Sequence, residues 1–231
     1  MASPMTLVLL HADLDALGGD AGPGDPAWLD PSERERVGRK RDARQRQRQE
    51  AALVFVRLAL GRHCGIGPAV LPLRREAKGK PCIDPAGWRR LGRDDPPPHY
   101  SLSHCGGLAL LAIADRPVGV DLEARIPSAR PALAERVLAA AELRAWRELD
   151  AESRIEALTV AWVRKEAVLK ATGLGLGFGL RRLALGWEAG PVDIDLGKAG
   201  CWRVADAEAP PGHRAALALA FDGPSRNAAF R

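Results

Sequence analysis

Three carboxylates and one ammonium in two short segments are the groups of this chain best placed to do chemistry. Gly119-Val-Asp121-Leu-Glu123 holds two acids spaced by one residue, and Trp162-Val-Arg-Lys-Glu166-Ala-Val-Leu-Lys170 holds an acid and a base spaced by four. Side chains alternate between the faces of a strand, so a strand over 118–123 puts Asp121 and Glu123 on one face and Val118, Val120 and Leu122 on the other. Gly119 leaves space beside the acids. Two like charges held side by side repel unless a cation compensates. With Glu166 added, three carboxylates suit a hard divalent cation, Mg²⁺ or Mn²⁺, which takes oxygen ligands and keeps places for waters and phosphates. In a helix, Glu166 and Lys170 lie one turn apart, close enough to touch. Glu166 could also serve as a general base, although a bound metal lowers its basicity.

The elements that must hold these groups follow from pattern. Ile155, Leu158, Trp162 and Leu169 fall on one face at helical spacing, with Glu166 at its edge. Ala171-Thr-Gly-Leu-Gly ends that helix. Its glycines follow a helix instead of opening one, so they do not form a phosphate-binding fingerprint. Ser103 and His104 are neighbours in a strand expected over 99–104. They project to opposite faces and cannot form a nucleophile–base pair with each other, which disfavours a serine hydrolase. His104 and Lys80, the latter in the turn Gly79-Lys80-Pro81, are candidate phosphate donors.

The remainder of the chain reads as alternating strands and helices. An opening strand spans 6–12 and a Gly/Pro/Asp loop 18–26. Asp30-Pro31-Ser32-Glu33 opens a helix reaching Arg41, and a second runs from Arg44 to Leu60, carrying Arg46, Arg48 and Arg57. A short strand is expected over 70–73, a loop over 83–98, and a buried strand over 108–114. The turn Asp115-Arg-Pro117 is expected to fold that strand into a hairpin with 118–123. Helices fill 131–170, with a break near 150–153. Segments 183–187, 192–196, 201–204 and 213–221 are expected as strands of an antiparallel sheet.

Composition bounds the function. The 231 residues are 46% hydrophobic and 27% charged, enough for a core in one large domain or two small ones. No apolar run approaches a membrane span, and the first residues lack a basic leader, so a soluble cytoplasmic protein is expected. The four cysteines are widely separated, which favours reduced thiols over a zinc site or disulfides. The net charge is +5, with a basic concentration between Arg34 and Arg48. That charge is compatible with nucleic acid, a phosphorylated small molecule or an acidic protein. One Tyr and four Phe offer little stacking surface for single strands.

Gly-Val-Asp-Leu-Glu followed about forty residues later by Trp-x-x-Lys-Glu-Ala-x-x-Lys resembles the signature of 4′-phosphopantetheinyl transferases of the surfactin-synthetase-activating (Sfp) type. Gly79-Lys80-Pro81 and Leu102-Ser103-His104 extend the resemblance, as does Arg48 by its spacing from Arg57. The pattern's early basic position is Glu33 here, with Arg36 keeping the next, and its usual Ser after Ser-His is Cys105. The resemblance implies an α/β (α+β) fold of two similar halves with pseudo-twofold symmetry, each a small antiparallel sheet packed with helices. The halves would be 1–115 and 116–231, the second carrying the metal site, with coenzyme A bound between them. It implies transfer of 4′-phosphopantetheine from coenzyme A to a serine of an acyl or peptidyl carrier protein, by a monomer. Arg48, Lys80, Ser103 and His104 would meet the adenosine end of coenzyme A. Asp121, Glu123 and Glu166 would hold Mg²⁺, and Glu166 and Lys170 would be catalytic. The competing readings are a non-enzymatic basic nucleic-acid-binding protein and a metal-dependent phosphate-ester hydrolase.

Overall fold

A computed structural model describes residues 6–17 and 25–222. The fold is mixed α/β, with small antiparallel sheets packed with helices. The chain forms two compact units, one of residues 1–76 and 81–115, the other of residues 77–80 and 116–231.

The first unit contains β1 (Leu7–Asp13), α1 (Leu14–Leu17), α2 (Pro31–Gly38), α3 (Ala43–Cys64), β2 (Leu73–Arg75), β3 (Pro81–Ile83), α4 (Pro85–Arg90), β4 (His99–Cys105) and β5 (Leu108–Ala114). The sheet order is β1-β5-β4, with Leu111 of β5 registered opposite Leu10 and Leu102. β2 and β3 pair separately. Helix α3 is defined at both ends: Asp42 caps it by accepting from the amide of Gln45 at 2.8 Å, and Gly65 stops it in the left-handed region at φ 65°. Arg57 points inward from α3, 1% exposed, and donates to Glu33, Asp30 and the carbonyls of Pro68 and Leu71. It therefore pins α2 and the following loop to α3, and does not solvate the helix.

The second unit contains β6 (Val118–Ala124), α5 (Pro131–Val137), α6 (Ala140–Arg147), α7 (Ala151–Thr172), β7 (Val192–Asp195), β8 (Cys201–Ala207) and β9 (His213–Phe221), with sheet order β6-β9-β8-β7. Asp150 caps α7 by accepting from the amides of Glu152 and Ser153, and Gly173, at φ 67°, ends it. Leu158, Ala161, Val163, Ala167 and Val168 of α7 pack in one core with Trp146, Leu183, Leu185, Trp202 and Val204. Helix α7 is buried around most of its girth, where the sequence indicated a single stripe.

Several expectations give way to the structure. β5 and β6 belong to different sheets, so 115–117 is not the turn of a hairpin. Asp84 and Pro85 start α4 inside the segment expected as loop, Asp84 accepting from the amide of Gly87 at 2.8 Å. Residues 183–187 form no strand; Leu183 and Leu185 are buried as irregular chain beneath α7. The strand expected over 70–73 begins only at Leu73, and α2 ends at Gly38. Of the loop expected over 18–26, residues 18–24 lie outside the described residues. All four cysteines are free thiols, and among the described residues no helix is long and apolar enough to cross a membrane.

Candidate active site

β6 runs beneath α7, and Gly119 is the reason they can be so close. A Cβ on Gly119 would stand 2.1 Å from the carbonyl oxygen of Ala167 and 2.3 Å from the amide nitrogen of Ala171. Only hydrogen fits between this strand and the helix backbone. The face of β6 that carries Gly119, Asp121 and Glu123 is therefore covered, not open as its polarity suggested. Asp121 is 2% exposed, while Glu123, further along, is half-buried. Val118, Val120 and Leu122 are fully buried on the other face.

Covering that face brings α7's charged groups onto the acids of β6. Lys170 Nζ donates to Asp121 Oδ1 at 2.7 Å. Lys170 thus reaches across to β6 as well as lying one turn from Glu166, on whose carboxyl its charge acts. Glu166 lies in the same field. Burial, and then the charge of Asp121 with a smaller contribution from Glu123, push its carboxyl up to about 7, while Lys170 opposes the shift. Glu166 is thus poised to hold or release a proton near neutrality.

The donor set fits a hard divalent cation in kind and in charge. It is all carboxylate, and its mutual repulsion is what a dication would relieve. The side chains as placed are more widely spaced than one ion requires: among the described residues, no three His, Cys, Asp or Glu side chains stand close enough to hold one.

Lys80 belongs to this second unit. Its ammonium donates to the carbonyl of Ala171 in the last turn of α7, one residue from Lys170. Arg48, Ser103 and His104 belong to the first unit. Arg48 Nε and Nη2 each lie 2.6 Å from a carboxylate oxygen of Asp15. Ser103 is buried and His104 exposed, as expected of neighbours on opposite faces of β4.

Two functional features escaped the sequence reading. Lys165, inside the Trp-x-x-Lys-Glu segment, is fully buried and donates to Glu142 and to the carbonyl of Val137 at 2.8 Å. Glu142 also accepts from the amides of Leu185 and Gly186, at 2.8 and 2.9 Å, and from that of Ala139 at 2.7 Å. This hub fixes α7 against α5, α6 and the 185–186 segment, one residue from Glu166. The signal for Glu142 lay in its place three residues after Ala139, the reach-back position of a helix start. For Asp15 no signal existed, since its partners are 29 and 33 residues away.

Residues 117–219, which run from the start of β6 through most of β9, match the family model described as the 4′-phosphopantetheinyl transferase superfamily. That segment is similar to the superfamily and makes up less than half of the chain. It is 31% identical over 186 residues to a phosphopantetheinyl transferase of Thraustochytrium, covering 74% of this chain and 62% of that protein. It is 28% identical over 190 residues to the L-aminoadipate-semialdehyde dehydrogenase-phosphopantetheinyl transferase of Xenopus laevis, covering 76% and 61%. It is 24% identical over 197 residues to the 4′-phosphopantetheinyl transferase Sfp of Bacillus subtilis, covering 84% and 83%. The chain spans about three fifths of the length of the first two. The nucleic-acid reading finds no support here. Within the basic segment that motivated it, Arg39 pairs with Glu35, Arg44 and Arg48 with Asp15, and Arg57 with Glu33.

Proposed function

We propose that the protein transfers the 4′-phosphopantetheine group of coenzyme A to a serine of an acyl or peptidyl carrier protein, converting the apo carrier to the holo form. The reading extends to an enzyme of the Sfp type, acting as a cytoplasmic monomer. The observation that carries it is the convergence of Asp121, Glu123, Glu166 and Lys170 across β6 and α7, within the segment that matches the superfamily. In this reading the chain has an N-terminal half, 1–115, and a C-terminal half, 116–231, and residues of both bind coenzyme A.

Asp121, Glu123 and Glu166 would hold Mg²⁺ or Mn²⁺, which supplies neutralisation of charge on the pyrophosphate. Glu166, with a proton affinity near neutral pH, accepts the proton of the carrier serine, directly or through water, as that hydroxyl attacks the phosphorus. Lys170 brings an ammonium to the developing charge on the departing phosphate. Arg48, Ser103 and His104 bind the adenosine end of coenzyme A. Lys80, held at the end of α7, supports Lys170 as much as that end.

The deciding experiment is the mass of an apo carrier protein after incubation with the chain, coenzyme A and Mg²⁺. A gain of one phosphopantetheine is the expected result. An unmodified carrier, or coenzyme A cleaved with no carrier modified, defeats the proposal.

A further inference from the structure

The carboxylate of Asp15 gathers two arginines from α3. Arg48 meets it with both Nε and Nη2, at 2.6 Å each, in the parallel two-bond geometry that fixes a guanidinium plane. Arg44, one turn earlier, brings Nη2 to 2.9 Å from Asp15 Oδ2. The Nη1 end of Arg48 is not engaged with Asp15. The side chain of Arg44 is 70% exposed and that of Arg48 21%.

Three features build this arrangement. Asp13 Oδ1 accepts from the amides of Asp15 and Ala16, at 2.9 and 3.2 Å, which orients α1. The amide of Leu14 donates to the carbonyl of Gly107 at 2.7 Å, tying α1 to the turn between β4 and β5. At Gly107 a Cβ would stand 3.0 Å from Asp15 Oδ2 and 3.3 Å from Arg48 Nη2, so glycine leaves the room the ion pair occupies. Two cations on one anion leave one positive charge over. The charges of Asp13 and Asp42 also act on Arg48, and both carboxylates are occupied as helix caps. The advantage for a ligand is therefore geometric: arginine side chains already ordered lose less freedom on binding.

We propose that Asp15 is a positioning residue that holds Arg44 and Arg48 as a preassembled pair for the 3′-phosphate monoester of the nucleotide co-substrate. This rests on the coenzyme A reading of the preceding section for the identity of the ligand. A phosphate monoester carries about −1.5 to −2 charge and three acceptor oxygens, and two adjacent guanidiniums match it. Asp15 touches no ligand in this arrangement and acts through the two arginines.

Calorimetric binding to the full chain tests it, with adenosine 3′,5′-bisphosphate and adenosine 5′-phosphate as probes that differ only in the 3′-phosphate. The parent is expected to prefer the bisphosphate. Asp15→Asn should reduce that preference roughly three- to tenfold, the factor for one side chain no longer preordered. Gly107→Ala, which crowds the pair without changing its charge, should reduce it in the same direction and serves if Asp15→Asn does not fold. In an Arg48→Ala background, Asp15→Asn should add little. A merely structural salt bridge would lower stability or weaken both probes equally. A parent with no preference, or a preference unchanged or increased in Asp15→Asn and Gly107→Ala, overturns the proposal. Carrier modification is scored separately. A chain that discriminates through Asp15 but modifies no carrier keeps this inference and defeats the transferase reading.

Discussion

Lys170 pairs with Asp121 across the β6–α7 contact, 2.7 Å from ammonium to carboxylate. The pairing neutralises the more deeply buried acid and leaves Glu166 under the repulsion of its neighbours.

Lys170→Ala is expected to cut single-turnover transfer about 10²-fold, with little change in coenzyme A affinity, because its ammonium matters most where charge develops. Glu166→Gln should nearly abolish transfer while leaving the fold intact, since Leu158 and Leu169 remain packed. Thermal unfolding alongside single-turnover kinetics checks both. Parent-like transfer by Glu166→Gln would remove the centre of the proposed mechanism.

A carboxyl raised from 4.5 to about 7 makes stability depend on pH with a definite sign. The unfolded chain loses this proton at lower pH than the folded one, so Glu166's contribution is greatest below pH 4.5 and is lost as pH rises through 7. Relative to the parent, metal-free Glu166→Gln should therefore gain stability between pH 5 and pH 8, by about 1–2 kcal/mol after solvent screening. Urea unfolding at the two pH values measures it. A difference between the two proteins that stays constant with pH contradicts the assignment.

Carrier modification should vanish in excess chelator and return with Mg²⁺ or Mn²⁺, because the candidate ligands are all hard carboxylate oxygens. Activity that persists in chelator would show that Asp121, Glu123 and Glu166 work without a cation.

Gly119→Ala places a methyl group against the backbone of Ala167 and Ala171, which no rotamer change can relieve. Denaturant unfolding should show a loss of about 3 kcal/mol. A stable variant would instead have α7 displaced from β6, and with it Glu166 and Lys170, so its transfer activity should still fall.

Glu142→Gln and Lys165→Met each break a buried pair that also anchors backbone at Val137, Leu185 and Gly186. Each single change should cost about 3–5 kcal/mol, and the two together less than the sum. A double-mutant cycle by chemical denaturation gives the comparison.

Much of the second unit was legible because its logic is local. Alternation along 118–123 gave the faces of β6, and the Asp150 and Gly173 signals bounded α7. The cover over the acidic face was not legible, because Gly119 reads equally as empty space or as a close approach, and only the three-dimensional contact with Ala167 decides. The contact of Lys170 with Asp121 was not legible for the same reason, since the strand that carries the acid is 49 residues away. The burial of Arg57 and Lys165 was not legible, since sequence spacing does not reveal the carboxylates that bury with them. Strands expected over 183–187 follow β-like composition, yet Leu183 and Leu185 fill the core without pairing.

Residues 77–80 have a consequence for dissection. They are grouped with the C-terminal unit although the chain on either side of them is not, and Lys80 caps the last turn of the helix that bears Glu166 and Lys170. A fragment cut at residue 116 would contain the whole segment that matches the superfamily yet lack this cap. The C-terminal unit is discontinuous in sequence, so expression of the matching segment alone would not carry it complete. A fusion that grafts 77–80 back onto the C-terminal fragment would restore the residue that meets the carbonyl of Ala171.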